Sequence, residues 1–225
     1  MKIHQVNVLC NQDRQFGEPH AIIFDEAKVL APEQRQALAT RIGLDETIFI
    51  NDLSTGDISI FDTSKEIPFA GTAALAAAWL INAMLDEPLD SLTCQSRNIP
   101  VKSEGDTLWI AASLDIMPGW NHVQLDSPIA VEAITPEDAK DFKHAMVWAW
   151  MNEAEGRIRA RTLASDWDIP EVEANGSGSM MLAAATGKSI EILHGKGSII
   201  LAKPAANNAA MLGGRAVEIR EIVLQ

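Results

Sequence analysis

Two short motifs place a glycine and a hydroxyl at the start of a helical stretch: Gly71-Thr72 and Gly176-Ser177. The first N–H groups of a helix lack intrahelical partners, and the helix dipole puts about half a positive charge there. Glycine lets a ligand approach the backbone, and a hydroxyl can donate or accept. Two such ends facing one cleft could grip a carboxylate or stabilise an enolate-like charge. The structural alternative is that Thr72 and Ser177 only cap their helices. A branched side chain at Gly176 is expected to obstruct a ligand more than it disturbs the fold. A third candidate is Asp45-Glu46-Thr47, between a helix end and a strand, where a loop can hold a general acid/base rigidly. The chain has 31 Asp and Glu, so spacing alone does not separate Glu46 from a solvated loop acid.

Other chemistries find little support. His4, His20, His122, His144 and His194 show no metal-ligand spacing, and no HExxH occurs, so no metal is expected. His194 lies in a glycine-bracketed turn, which reads as an exposed turn histidine, with ligand contact as the alternative. Cys10 and Cys94 are too few for a disulfide framework or a four-thiolate zinc site. There is no P-loop, GxGxxG or GxSxG, so nucleotide and serine-hydrolase readings fail and no cofactor is expected. Trp148, Trp150 and Trp167 read as core or interface.

The elements that must carry these residues can be sketched. Strand-like runs open the chain around residues 3–8 and 21–24. A helix begins at Pro32-Glu33, where proline suits the first turn and the acid suits the positive end, and stops at Gly43. Strands follow over 47–50 and 57–61. Residues 71–85, GTAALAAAWLINAML, have a helical composition but are apolar on every face before Asn82. A surface helix needs one wet side, so this one must be wrapped by sheet. Further strands are expected over 91–95, 99–102, 107–113, 146–151 and 157–163, and a helix from Thr135-Pro136-Glu137-Asp138. The segments 117–119 and 126–128 form the boundary region between halves 1–117 and 118–225.

The two halves repeat a pattern. Glu66-Ile67-Pro68, Gly71-Thr72 and Leu75 to Ala78 are matched by Asp168-Ile169-Pro170, Gly176-Ser177 and Leu182 to Ala185. Coincidence in an alanine-rich chain is one reading. The other is two similar α/β (α+β) halves, each a mostly antiparallel curled sheet around a central helix, facing each other across a cleft.

Composition bounds the class. The 225 residues are 47% hydrophobic, enough for a buried core. A formal charge of -13 repels phosphate backbones, so nucleic acid is not an expected partner. No apolar run approaches the ~18–20 residues of a membrane span. A cytoplasmic protein without membrane association is expected.

Together these motifs resemble the PhzF-like (phenazine biosynthesis) proteins, relatives of diaminopimelate epimerase. Residues 5–9, Phe16 to Pro19 and residues 21–23 are similar to the family's opening strand, GNP turn and second strand. Leu44 to Phe49 resembles its ET motif, Glu66 to Ala78 its "E-pf-GHA-LAAA" segment, and Gly213 to Val217 its closing glycine turn. Glu171 to Ser177 resembles its "EDPVTGSA" segment more loosely. The resemblance implies a pseudo-symmetric fold, a cofactor-independent isomerase that moves a proton between carbons of a small carboxylic acid, and a homodimer. It assigns the shuttling role to Glu46 and places Gly71, Thr72, Gly176, Ser177, Glu18 and Glu173 at the substrate. No thiol occupies either motif, so a two-cysteine racemase is excluded. Thr72 stands where the family has His, Val172 where it has Asp, Glu173 where it has Pro, and Glu18 where it has Asn. The family's arginine-bearing turn is contracted to residues 194–197. These departures keep a second reading open: a catalytically impaired member that binds a small acid or a protein partner.

Overall fold

The computed structural model describes residues 2–135, 137–167 and 169–223; Pro136 and Asp168, which belong to two of the expected motifs, lie outside them. The first half contains β1 (Lys2–Cys10), β2 (Glu18–Phe24), α1 (Pro32–Ile42), β3 (Thr47–Asp52), β4 (Asp57–Phe61) and β5 (Glu66–Ile67). It continues through α2 (Gly71–Met84), β6 (Ser91–Cys94), β7 (Arg97–Glu104) and β8 (Thr107–Ser113). The second contains β9 (Asn121–Gln124), α3 (Pro128–Glu132), β10 (Ala145–Asn152), β11 (Arg157–Ala164) and β12 (Ile169–Val172). It ends with α4 (Gly176–Thr186), β13 (Ile190–His194), β14 (Ser198–Ala205) and β15 (Ala209–Val223).

The repeat seen in the motifs is a repeat of strand pairing. In the first half β2 and β3 are parallel across α1, β3 and β4 form an antiparallel pair, β5 adds to β4, and β4 and β6 are parallel across α2. In the second, β9 and β10 are parallel across α3, β10 and β11 are antiparallel, β12 adds to β11, and β11 and β13 are parallel across α4. The last strand joins the halves. β15 pairs β8 and β14 through its first part and β1 through its second. The path β1-β2-β3-β4-β6-β7-β8-β15 therefore returns to β1 and closes around α2.

Strand alternation explains how both faces of this sheet are covered. Val6, Val8, Ile22, Ile48, Ile50, Ile58 and Ile60 pack inward with α2. Ala21, Ile23, Phe49 and Phe61 point outward onto Leu38 and Ala39 of α1. Helix α2 is buried from Gly71 to Ala78 and again at Leu80 and Ile81, as its lack of a wet face requires. Alanine keeps the helix thin enough for the ring of strands to close. α1 begins with Pro32 in its first turn and ends at Gly43, whose φ of 72° is the left-handed stop that glycine permits. Among the described residues, no helix is long and apolar enough to cross a membrane.

The expected helix from Thr135 is not formed. Thr135 and Asp138 exchange capping bonds of 2.7–3.2 Å, but these close only a 3-10 turn over Asp138–Asp141. The helix lies earlier, where Ser127 accepts from the Ala130 N–H and Pro128 occupies the first turn. A cap satisfies the first N–H groups but does not set how many turns form after it. Helix length depends on an apolar stripe, and α3 offers β10 and β11 a single buried contact residue, Val131.

The motif glycines also have a packing role that spacing did not reveal. A β-carbon on Gly176 would lie 2.8 Å from Leu212 Cδ2 and 3.2 Å from Thr72 Cγ2, and one on Gly71 would lie 3.1 Å from the same leucine methyl. Both helix starts press on Leu212 of β15, so the space in front of Gly176 is protein. The expectation that a branched residue there obstructs ligand more than fold is corrected: it strikes the core first. Gly176→Val should lower stability by about 1–3 kcal/mol, the usual cost of overpacking. In thermal melts, its effect and that of Leu212→Ala should combine less than additively, because the second removes the group the first strikes. Additive losses would show that Leu212 is not what excludes a side chain.

Candidate functional site

Glu46 meets the rest of the site through strand register. In the parallel ladder of β2 and β3, Ala21 pairs with Thr47. Their preceding residues, His20 and Glu46, lie side by side on the inward face shared with Ile22 and Ile48. His20 Nδ1 is 3.4 Å from Glu46 Oε2; the histidine side chain is fully buried, and Glu46 keeps 19% of its side-chain surface exposed. Neither ring nitrogen of His20 makes a hydrogen bond with a described residue. Burial pushes His20 down to about 3, so its imidazole is neutral at physiological pH. Burial, then repulsion from Asp45 and Asp62, pushes Glu46 up to about 8.

Glu18, two residues before His20 on the same face, is 5% exposed. Its Oε2 accepts a 2.9 Å hydrogen bond from the Ala174 N–H, carrying the site into the second half. Burial first, then the charges of Glu46 and Asp45, holds its carboxyl well above the usual range. Three carboxyl groups thus compete for one small region. Protonation relieves the repulsion, and the backbone N–H supplies the remaining support.

The Ala174 segment is braced from below. Glu173 Oε1 accepts from Ser198 Oγ at 2.9 Å, and Ser198 Oγ accepts from the Gly17 N–H at 3.0 Å. The Glu173 carbonyl accepts from His194 Nδ1 at 2.9 Å, while His194 Nε2 lies 2.9 Å from Thr162 Oγ1. His194 is fully buried, and burial pushes it down to about 4. It is an internal strut, which corrects the expectation of an exposed turn histidine or a ligand contact. Its neighbour across Thr162, Asn175, caps α4 by accepting from the Gly178 N–H at 2.8 Å.

That cap removes the capping reading of the motif hydroxyls. Ser177 does not cap α4: its Oγ accepts from Trp120 Nε1 at 2.9 Å and lies 3.4 Å from Asn175 Oδ1. Thr72 does not cap α2, which starts at Ala70 without a side-chain cap. The Thr72 backbone nitrogen is 3.6 Å from where a Gly176 side chain would begin. The two helix starts therefore meet. Contacts run from Glu46 to Glu18 through charge, from Glu18 to Ala174 through a hydrogen bond, and from Gly176 to Thr72 through packing. Two open cavities, one beside Lys28, Arg35 and Glu66 and one beside Gln124, Asp126 and Trp150, involve none of these residues. Cys10 and Cys94 are buried, free and pushed up to about 11, so neither offers a thiolate base. Among the described residues, no cluster could hold a metal ion.

Spacing missed His20. No motif contains it, and only the pairing of β2 with β3 brings it to Glu46. The available signal was its position two residues after Glu18, on the same side of a strand.

A buried acid held neutral weakens the fold as pH rises. Unfolded Glu46 ionises near 4.5, whereas the folded carboxyl resists until about 8. Below 4.5 both states are protonated and the linkage cost vanishes; between 4.5 and 8 it grows, and above 8 it levels. Glu46→Gln should therefore melt at a higher temperature than the natural chain at pH 8, with the gap narrowing toward pH 4.5. An equal gap at both pH values would show that Glu46 is not held protonated.

The chain matches no protein-family model. Over 89 residues it is 30% identical to an uncharacterized isomerase of Pasteurella multocida, covering 38% of this chain and 30% of that protein. Over 118 residues it is 34% identical to trans-2,3-dihydro-3-hydroxyanthranilate isomerase of Pseudomonas fluorescens, covering 50% of this chain and 42% of that protein. The matched stretches thus span less than half the length of these curated relatives. A phenazine biosynthesis PhzC/PhzF protein from Clostridium difficile is similar in structure with a TM-score of 0.77 at 19% identity, over 100% of this chain and 99% of that one. Solved epimerases share the architecture at lower similarity. The resemblance carried by the motifs is met in the structure: the chain has the fold of the PhzF-family proteins and of the epimerases that share it.

Proposed function

We propose that the chain is a cofactor-independent isomerase of the PhzF type that moves a proton between carbons of a small carboxylic acid, with Glu46 as the acid/base. The observation that carries this reading is a largely buried carboxyl pushed up to about 8 at the edge of an apolar ring. A group poised near neutrality can both take and return a proton. Its carboxylate form removes the proton, and the resulting carboxyl delivers it to another carbon of the same substrate, so no external acid is consumed. In this reading the substrate meets the Gly71-Thr72 and Gly176-Ser177 ends through their backbone N–H groups and hydroxyls, while the glycine α-carbons stay packed on Leu212. The uncapped start of α2 offers backbone N–H groups to the negative charge that develops when the proton leaves. Glu18 holds the two halves in register at the site through the Ala174 N–H, and Glu173 does so through Ser198, which accepts from the Gly17 N–H. The halves are residues 1–117 and 118–225, with the last strand crossing back.

Because Glu46 must ionise to act as base, turnover should rise with pH and level above about 8. The probes are small unsaturated carboxylic acids, beginning with trans-2,3-dihydro-3-hydroxyanthranilate, named in the Pseudomonas fluorescens relative. In heavy water, proton NMR should show solvent deuterium entering the product. Glu46→Gln should slow this at least ~10²-fold, the low end for a positioned acid/base. Undiminished exchange in that variant would remove Glu46 from the reaction. The second reading, a binding protein without turnover, draws on the tight contact of Thr72 with Gly176, which narrows the gap between the helix ends. It predicts saturable binding of the same acids in calorimetry with no deuterium incorporation.

A homodimer also belongs to this proposal. Ile129, Val29, Val223 and Ile219 are 79%, 75%, 63% and 50% exposed, apolar surface that a partner copy could cover. Light scattering should give twice the 24.4 kDa chain mass, and the mass of a single chain would reject the dimer.

A further inference from the structure

The four other histidines of the chain all have hydrogen-bonding partners. His4 Nδ1 lies 2.6 Å from Glu218, His122 Nε2 lies 2.8 Å from the Gly178 carbonyl, and His144 Nδ1 lies 2.7 Å from Asp166. His194 bridges Thr162 and Glu173. His20 alone has two buried nitrogens without a hydrogen bond of good geometry among the described residues; its ring lies against the Glu46 backbone, with Nδ1 3.4 Å from Glu46 Oε2. A buried imidazole left so is costly to the fold. Packing does not account for it, because Val6, its partner on β1, and Ile22 on its own strand offer only apolar contact. An aliphatic residue would serve the core there as well or better.

We propose that His20 is the positioning residue of Glu46: its Nδ1 receives the hydrogen bond of the Glu46 carboxyl and fixes the direction in which that group presents its proton. This rests on the reading of Glu46 as the acid/base. The present 3.4 Å separation is long and not aligned for an O–H···N bond, so the proposal requires the partly exposed Glu46 side chain to turn toward Nδ1. A ring with one proton suits the task in both states of its neighbour. Nδ1 without a proton accepts from the carboxyl, and the other tautomer donates from Nδ1 to the carboxylate. The ring acquires no charge in either case, consistent with a histidine that burial holds neutral. The ionisable groups facing Glu46 are few and named. β2 brings His20 and Glu18, the turn before β3 brings Asp45, and the end of β4 brings Asp62. α2 has no ionisable side chain.

The test uses the full chain and needs no substrate. With histidine labelled in 15N and glutamate in 13C, the Glu46 carboxyl is assigned by its loss in Glu46→Gln and followed from pH 5 to 10. The His20 ring nitrogens should change shift, without the ring becoming charged, at the same midpoint as the Glu46 carboxyl. In Glu46→Gln that inflection should disappear from His20. In His20→Val the Glu46 midpoint should move by about half a pH unit or more, and His20→Asn, which retains a hydrogen-bonding group, should restore part of the difference. Should Glu46→Gln fail to fold, Glu46→Asp supplies the assignment, and the shared midpoint in the natural chain decides. Ring nitrogens that stay flat through the Glu46 titration, or a Glu46 midpoint unmoved by His20→Val, would overturn the proposal. The outcomes are separable from those of the proposed reaction: coupling without deuterium exchange keeps His20 as the partner of Glu46 and rejects turnover of the probes.

Discussion

Helix α2 has no wet side, and the first half is organised by the need to enclose it. Fourteen residues without an ionisable side chain cannot lie on a surface. The strands respond by presenting Val, Ile and Leu inward and by closing the ring through β15. Closure requires a strand long enough to serve both β8 and β1, which is why β15 runs from Ala209 to Val223. The enclosure also removes water from the inward side of β2 and β3. Residues that would be ordinary surface acids at the end of a strand become high-energy groups there.

The electrostatics of the site follow from that enclosure. The whole chain carries -13, and the site adds to the strain by gathering Glu18, Asp45 and Glu46. Desolvation is the first cause of the upward shifts of Glu18 and Glu46, with mutual repulsion second. The fold does not neutralise them with arginine. It keeps them protonated and gives Glu18 one backbone N–H. Elsewhere the same chain uses the opposite solution: buried Asp25 is paired with Arg35 at 2.6 Å, and Arg35 is further held by Asn51. The contrast separates a structural buried acid, which is given a counter-ion, from one left able to change its protonation state.

Features governed by local chemistry were legible in the sequence, and features governed by register were not. The enclosure of α2, the stop at Gly43 and the matched helix starts follow from composition and backbone preference. The repeat set the two helix starts opposite each other across a cleft, but it did not show that Thr72 and Gly176 touch. His20 shows the limit: its partner is 26 positions away, and nothing short of the β2–β3 ladder brings the two together. The helix expected at Thr135 failed for a related reason. Its capping bonds do form, but an apolar stripe, not a cap, determines whether a turn becomes a helix. His194 looked exposed because glycines surround it, whereas those glycines let the chain turn tightly over Glu173: a β-carbon on Gly195 would lie 2.5 Å from the Glu173 carbonyl oxygen.

The departures from the family pattern make physical sense when taken as a set. Thr72 replaces an expected histidine at the start of α2, and its methyl group now packs against Gly176 and, through it, against Leu212. An imidazole at that point would have to find room where the two helix starts pack together. The imidazole near Glu46 comes instead from β2, the strand beside β3, where His20 is buried opposite Val6 of β1. Glu18, in place of the expected asparagine, reaches the second half with a carboxyl that Ala174 can bind. The changes move the polar groups around Glu46 off the helix ends and onto β2. The helix starts can then pack together on Leu212 while His20 and Glu18 stay beside Glu46.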